Sequence, residues 1–318
     1  NLVTGSYTLD PIPPTADWTY TRPCWTNETS GAAGEGLAQT LAANQTIRWD
    51  VGYVLGTAWV QAQGGDVYAA GAVRSFIPDG SVFITDGTGG YPGVLSYGTT
   101  YDFASDPYST GGTLVSSTNW QVNASRATVD YYDFFYRRYG APTTPTTDPA
   151  FSNPLAVTRP PSSTTPYYVV GNITTSGNWS VGNGETVIVI VNGNLTLGGN
   201  IRLNDSSGFI AFIVNGNITV SDAVGRGISS TLPNLEGVYV TSPAGTFATG
   251  TGTTSTTARL VGSGMFVAGN FLLERNLEGF GAGNTGYAAE LFVYNPRLLV
   301  TMPEAMRELS VTWQEVAP

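Results

Sequence analysis

Apolar side chains along this chain come in short runs, alternating or continuous, separated by Gly, Asn, Pro and Thr. At the start, Val3, Gly5, Tyr7 and Leu9 alternate with Thr4, Ser6 and Thr8 before the break at Pro11, Pro13 and Pro14, a short strand pattern. The rest of residues 1–50 mixes Pro, Thr and Trp with little periodicity and reads as extended and turn-rich. From residue 51 onward the runs are Tyr53-Val54-Leu55, Ala58 to Ala62 and Asp66 to Ala69, with Gly56, Gly64, Gly65 and Gly71 between them, so the strands are short and close together. Turn signals at Pro78-Asp79-Gly80 and Asp86-Gly87 bracket another strand at Ser81 to Thr85. Ser125 to Tyr139 has helical spacing instead: Val129, Tyr132, Phe135 and Tyr136 form a stripe, Ser125 is placed to cap it, Arg137 and Arg138 occupy the last turn, and Gly140 and Pro142 stop it.

Residues 141–166, rich in Pro and Thr, break the pattern and read as a stiff linker or long surface loop. Four regions follow: 1–50, an extended segment and candidate donor strand; 51–140, β-rich with one helix; 141–166; and 167–318. The last region repeats itself. Val170-Gly171-Asn172-Ile173-Thr174 is echoed by Asn192-Gly193-Asn194-Leu195-Thr196-Leu197 and by Asn215-Gly216-Asn217-Ile218-Thr219-Val220, at offsets of 22 and 23 residues. Each copy follows an apolar run. Weaker echoes lie at Gly65-Asp66-Val67-Tyr68 and Ala268-Gly269-Asn270-Phe271-Leu272. A fixed period of this length, with strands, Gly-Asn corners and no room for a helix in each copy, predicts a mostly β fold: a parallel β-solenoid, β-helix-like, with few short helices. Alternate side chains then fill a narrow core, tight corners use Gly and Asn, and Asn172, Asn194 and Asn217 line up as a structural corner ladder. Pro303 to Leu309 reads as a short helix with Pro in its first turn, placed to cap the open end.

Composition narrows the chemistry. Only 11% of residues are charged, against about 25% in ordinary domains. All 13 basic residues are Arg, with no Lys and no His. Imidazole-based triads, imidazole metal ligands, Schiff-base lysines and the lysine of phosphate-binding loops are therefore excluded. A net charge of −10 opposes binding to nucleic acid and to anionic membrane surfaces, which needs clustered cations. The longest apolar runs, such as Thr186 to Val191, fall far short of the roughly 20 residues of a membrane span, so no direct membrane insertion is expected. The start at Asn1 suits a processed secreted protein or a trimmed chain. The single Cys24 has no internal disulfide partner; it is read as a half-buried thiol, with an intermolecular bridge as the alternative.

Carboxylates in a β-solenoid groove suggest polysaccharide cleavage, yet Glu185, Asp205 and Asp222 are the only ones across residues 171–224, and no adjacent Asp pair occurs among them. The expectation is a non-enzyme without catalytic residues. No cofactor or metal is expected, with structural calcium at the Asp79 and Asp86 turns as the alternative. Eight Asn-x-Ser/Thr sites occur. Three are the corner residues; Asn27, Asn44, Asn123, Asn178 and Asn204 are candidate glycosylation sites.

Several segments resemble a family of mostly uncharacterised secreted proteins of uncultured small-genome bacteria: Trp59 to Ala69, the Asn-Gly-Asn copies, Leu235 to Val240, and the tail Thr312 to Pro318. The resemblance covers most of the chain after residue 50 and implies β-solenoid surface proteins, some placed behind a pilin-like N-terminal membrane segment. It carries over no catalytic residue. The expected function is thus an extracellular structural protein at the cell surface that self-assembles into a filament or layer. Its partner would be another copy of itself, with Leu2, Val3, Tyr7 and Leu9 as the exchanged strand. The alternative is an adhesin or glycan-binding module using exposed Trp18, Trp25, Trp59 and Tyr91.

Overall fold

The computed structural model describes residues 5–8, 18–20, 24–27, 29–30, 32–35, 38–42, 46–50, 53–55, 58–78, 80–103, 115–124, 129–204, 207–250, 258–277 and 283–307. The chain is mostly β, with parallel sheets of many strands.

Among the described residues the N-terminal region holds seven short strands: β1 Gly5–Thr8, β2 Trp18–Tyr20, β3 Cys24–Asn27, β4 Ala33–Glu35, β5 Ala38–Leu41, β6 Ile47–Asp50 and β7 Tyr53–Leu55. All pair antiparallel, β1 with β5, β2 with β7, and β3 with both β4 and β6. β1 falls on the alternating pattern at the start of the chain; the other strands, three or four residues between turns, are too short to show a period in sequence.

From there every strand pair is parallel. The strands are β8 Val60–Gln63, β9 Val67–Ala69, β10 Val73–Arg74, β11 Ile84–Thr85, β12 Leu95–Tyr97, β13 Tyr101–Asp102 and β14 Gln121–Asn123. After helix α1 Tyr131–Arg138 come β15 Tyr167–Val170, β16 Ile173–Thr174, β17 Trp179–Val181, β18 Thr186–Asn192, β19 Leu195–Leu197, β20 Ile201–Leu203, β21 Phe209–Val214, β22 Ile218–Val220, β23 Leu235–Thr241, β24 Thr246–Ala248, β25 Leu260–Val267 and β26 Asn270–Leu272. A single 3-10 turn, Pro149–Phe151, precedes β15, and helix α2 Gly283–Gly286, β27 Glu290–Val293, α3 Arg297–Thr301 and α4 Glu304–Arg307 complete the described elements.

The largest sheet has ten strands, with the path β11-β8-β27-β25-β23-β21-β18-β15 and with β17 and β20 joined at the side. A second sheet of five runs β16-β19-β22-β24-β26. From β15 to β26 the chain returns repeatedly to both, laying β15, β18, β21, β23 and β25 on the first and β16, β19, β22, β24 and β26 on the second, with β17 and β20 as extra short strands in the first two passes, neighbours lying at the usual spacing of about 4.8 Å.

The continuous apolar runs are explained by burial on both faces. Val187, Val189 and Val191 of β18 and Ile210, Phe212 and Val214 of β21 face the core shared with the five-stranded sheet. Ile188, Ile190, Phe209, Ala211 and Ile213 face the other way, under Tyr132 and Phe135 of α1, Leu298 and Met302 of the α3 region and Met306 of α4. Along the inner core an aromatic row follows the stacking direction: Trp179, Phe212, Tyr239, Phe266 and Phe292, with successive ring centroids 5.7, 5.6, 5.1 and 5.0 Å apart.

Three further expectations change. Helix α1 begins at Tyr131 and not near Ser125, because Asp130 caps it, its Oδ1 accepting from the Asp133 N–H at 2.9 Å. The C-terminal helix lies on the sheet face, where Met306 is buried and the Ala305 carbonyl accepts from Arg138 Nε at 3.0 Å, instead of closing an end of the stack. Residues 141–166 form an irregular segment docked on β15 and β16: the Thr146 N–H donates to Tyr168 O, Val157 exchanges bonds with the strand around Thr174, and Arg159 pairs with Glu185 at 2.5 Å. Nor do residues 51–140 and 167–318 part there, since β8 pairs with β27 over Val60↔Glu290 to Gln63↔Val293. Two segments distant in sequence share one sheet.

Candidate functional site

The corner between the two sheets is built from Gly-Asn pairs. The Asn172 side chain accepts from the Asn194 N–H at 2.9 Å, Asn194 from the Asn217 N–H at 2.8 Å, and Asn217 from the Thr246 N–H at 2.9 Å. Each carboxamide oxygen thus satisfies a backbone donor of the next pass that the corner has removed from the sheet ladder. The preceding glycines stack as closely: a Cβ on Gly193 would collide with the Gly171 carbonyl, and one on Gly216 with Asn194 Oδ1 and the Gly193 carbonyl. The bonded spacing widens from 22 to 23 to 29 residues, which hides the last step from a search for a fixed period. A second ladder at the next corner joins Asn178 to the Asn200 N–H at 2.9 Å.

Farther along the stack, one cluster of charge is sealed inside. Glu290, at the head of β27, is fully buried, and its Oε1 accepts from the Thr249 hydroxyl at 2.8 Å and the Arg275 N–H at 2.7 Å. The Arg275 guanidinium donates to the Ser221 and Asp222 carbonyls at 2.8 and 3.2 Å. Arg259 donates to the carbonyls of Ala288 and Ser230 at 2.9 and 3.0 Å and lies 5.7 Å from the Tyr287 ring centroid. Burial raises the Glu290 carboxyl to about 7, although the two donors and the Arg275 charge pull it down. Burial likewise lowers both guanidinium groups. Ser221, Thr249 and Arg275 belong to successive passes, so the network ties three of them to β27. Glu290 is fully engaged by these two donors and joins β27 to its neighbours. Sequence reading missed it, although a Glu heading the apolar run Leu291-Phe292-Val293 in a chain so poor in charge is a visible anomaly.

The predicted site residues are dispersed. Tyr7 is in β1, paired with Gln39 of the same chain, whereas Leu2, Val3 and Leu9 lie outside the described residues. Asn27 is buried and its Oδ1 accepts from the Thr29 and Ser30 N–H groups at 3.0 and 3.1 Å, closing a turn. Asn123, Asn178 and Asn204 are exposed, the last bonded to the Ser180 hydroxyl; Asn44 is outside the described residues. Trp59 is buried, with its indole N–H donating to Asn284 O at 2.9 Å, which removes it from the stacking candidates. The side chains of Trp18, Trp25 and Cys24 are not described. Tyr91 is 76% exposed, and Trp120, which the sequence reading passed over, is 58% exposed.

Of the groove carboxylates, Glu185 holds Arg159 and the Gly182 N–H, Asp222 lies beside the buried cluster, and Asp205 is outside the described residues. Asp86 Oδ1 accepts from the Ser117 hydroxyl at 3.0 Å, and Asp79 is not described. Among the described residues, no three acidic, Cys or His side chains converge as a metal would require. No described helix is long and apolar enough to cross a membrane. A small cavity of about 130 Å³ sits between β20 and α3, lined by Leu203, Asn204, Glu236, Arg297 and Thr301. Its Glu236 carboxyl is raised by burial and accepts from the Leu203 N–H at 2.9 Å.

No known protein family, curated protein or solved structure matches the chain.

Proposed function

We propose that this chain is a parallel β-solenoid and acts as a structural subunit at the cell surface, assembling head to tail by exchange of its N-terminal strand. The observation that carries the assembly reading is β1. Among the described residues it pairs with β5 alone, in a two-stranded sheet, and an isolated pair of that kind is only marginally stable. The β5 of a neighbour offers the same four-residue register, so exchange costs little and, unless the contact closes into a ring, propagates as a fibre. The side-chain ladders, the doubly covered sheet and the scarcity of charge support a load-bearing role, and the resemblance to secreted surface proteins supports the location. Deleting residues 1–14 is expected to abolish polymers seen by electron microscopy while leaving a folded monomer; polymerisation at the wild-type level would sink the reading.

A second reading, a glycan-binding surface, rests on the exposed rings of Trp120 and Tyr91, since sugar stacking needs solvent-facing aromatics. Selective retention on a glycan array that disappears in Trp120→Ala would favour it over assembly.

A further inference from the structure

The two sheets are finished differently. Strands β18 and β21 are buried on both faces, whereas the five-stranded sheet alternates: Ile173, Leu195 and Ile218 point into the core and their neighbours point out. The outward positions fall into two rows. Asn172, Asn194 and Asn217 form one and are exposed; Thr174, Thr196 and Thr219, in register across β16, β19 and β22, form the other and are half-buried. Since the Asn oxygens serve the backbone of the next pass, the first row offers amide N–H groups outward, while each Thr hydroxyl can both donate and accept.

No residue of either row is charged, in a chain whose net charge is −10. A solvent-facing surface is ordinarily about 25–35% charged. Here two copies can touch without bringing carboxylates together or stripping water from them.

We propose that this face binds the same face of a second copy, about a two-fold axis along the stack that sets the Asn row of each over the Thr row of the other. Such a contact is isologous. It is also commensurate from the outset: both faces repeat at the same strand spacing of about 4.8 Å, so seating one Asn on one Thr seats the whole row, whereas a partner of unrelated period matches at one position and misses at the next. These strands and rows present about 200–300 Å² per copy, against roughly 800 Å² in a stable complex. The contact is therefore weak between single molecules and gains strength where many copies are linked in line. It needs no strand exchange, and it goes beyond head-to-tail assembly by setting chains side by side, as a layer requires.

Analytical ultracentrifugation of the full chain at millimolar concentration tests this. A weak dimer is expected that tightens as salt is raised, because salt screens the net repulsion and the contact holds no ion pair for it to weaken. Asn217→Asp and Asn123→Asp each add one negative charge with little change of shape. The first lies in the Asn row, where a carboxylate still accepts from the Thr246 N–H, and the second lies on exposed β14. Association is expected to weaken about tenfold or more in Asn217→Asp, where the new charge must be desolvated, and to stay near that of the unaltered chain in Asn123→Asp. A strictly monomeric unaltered chain, association that falls with salt, or equal effects of the two substitutions would overturn the proposal. Association that both variants keep and that removal of residues 1–14 abolishes belongs to strand exchange, and overturns the face-to-face contact alone.

Discussion

Glu290 ties folding to pH. Its carboxyl sits at about 7 in the folded chain against 4.5 for the free group, so the folded state holds the proton more tightly. The sign follows from linkage: stability is fully present below about pH 4.5, declines as the unfolded chain alone gives up its proton, and is lost as pH rises through 7. Each pH interval of one in that window costs about 1.4 kcal/mol. Glu290→Gln is expected to flatten this decline, measured as the urea midpoint at pH 4, 6 and 8. At the corner, Asn194→Ala leaves the Asn217 N–H without its acceptor and should cost about 1 kcal/mol. Gly193→Ala pushes a methyl group into the Gly171 carbonyl and should cost more, up to about 3 kcal/mol. An order of effects reversed in denaturant titrations would argue against a corner limited by backbone approach. The ladder was legible in sequence because corner chemistry is local: Gly for close approach, Asn for a short acceptor. The Glu290 cluster was not, because Ser221, Thr249 and Arg275 come together only once separate passes are stacked.

At the scale of the element, the decisive fact is that β18 and β21 are covered on both faces. Phe135 of α1 packs on the face away from the inner core, in the cluster that covers β21 and β23. Phe135→Ala should destabilise by about 3–5 kcal/mol if α1 is part of the fold, or by under about 0.5 kcal/mol if it only rests on the surface. Thermal or urea unfolding separates the two. The apolar runs themselves predicted strands correctly in kind, but their continuity, Val187 to Val191 without a polar break, also announced a second cover that the sequence reading did not draw out. The start of α1 was misplaced because Ser125 and Asp130 are both acceptable caps, and only packing decides which turn begins the helix.

For the whole molecule, the pairing of β8 with β27 joins β8 and β11 to the sheet that also holds β15, β18, β21, β23 and β25, although a helix and an irregular segment separate the two groups in sequence. Nothing local encodes that joint: parallel strands of three or four residues carry no label for which distant pass they abut. It predicts a single cooperative unfolding transition in which amides near Trp59 and near Trp179 lose exchange protection together. Two well-separated transitions would mean the joint contributes little.

The same joint puts spatial order at odds with the order of synthesis. The pass containing β8 is among the first to be made, yet its neighbour β27 is made some two hundred residues later. Throughout elongation the early passes carry an unfinished border, and a chain released before residue 290 keeps it for good. Chains cut short of β27 should therefore associate more readily than the full chain, because the border is closed only when the last strand of the sheet arrives.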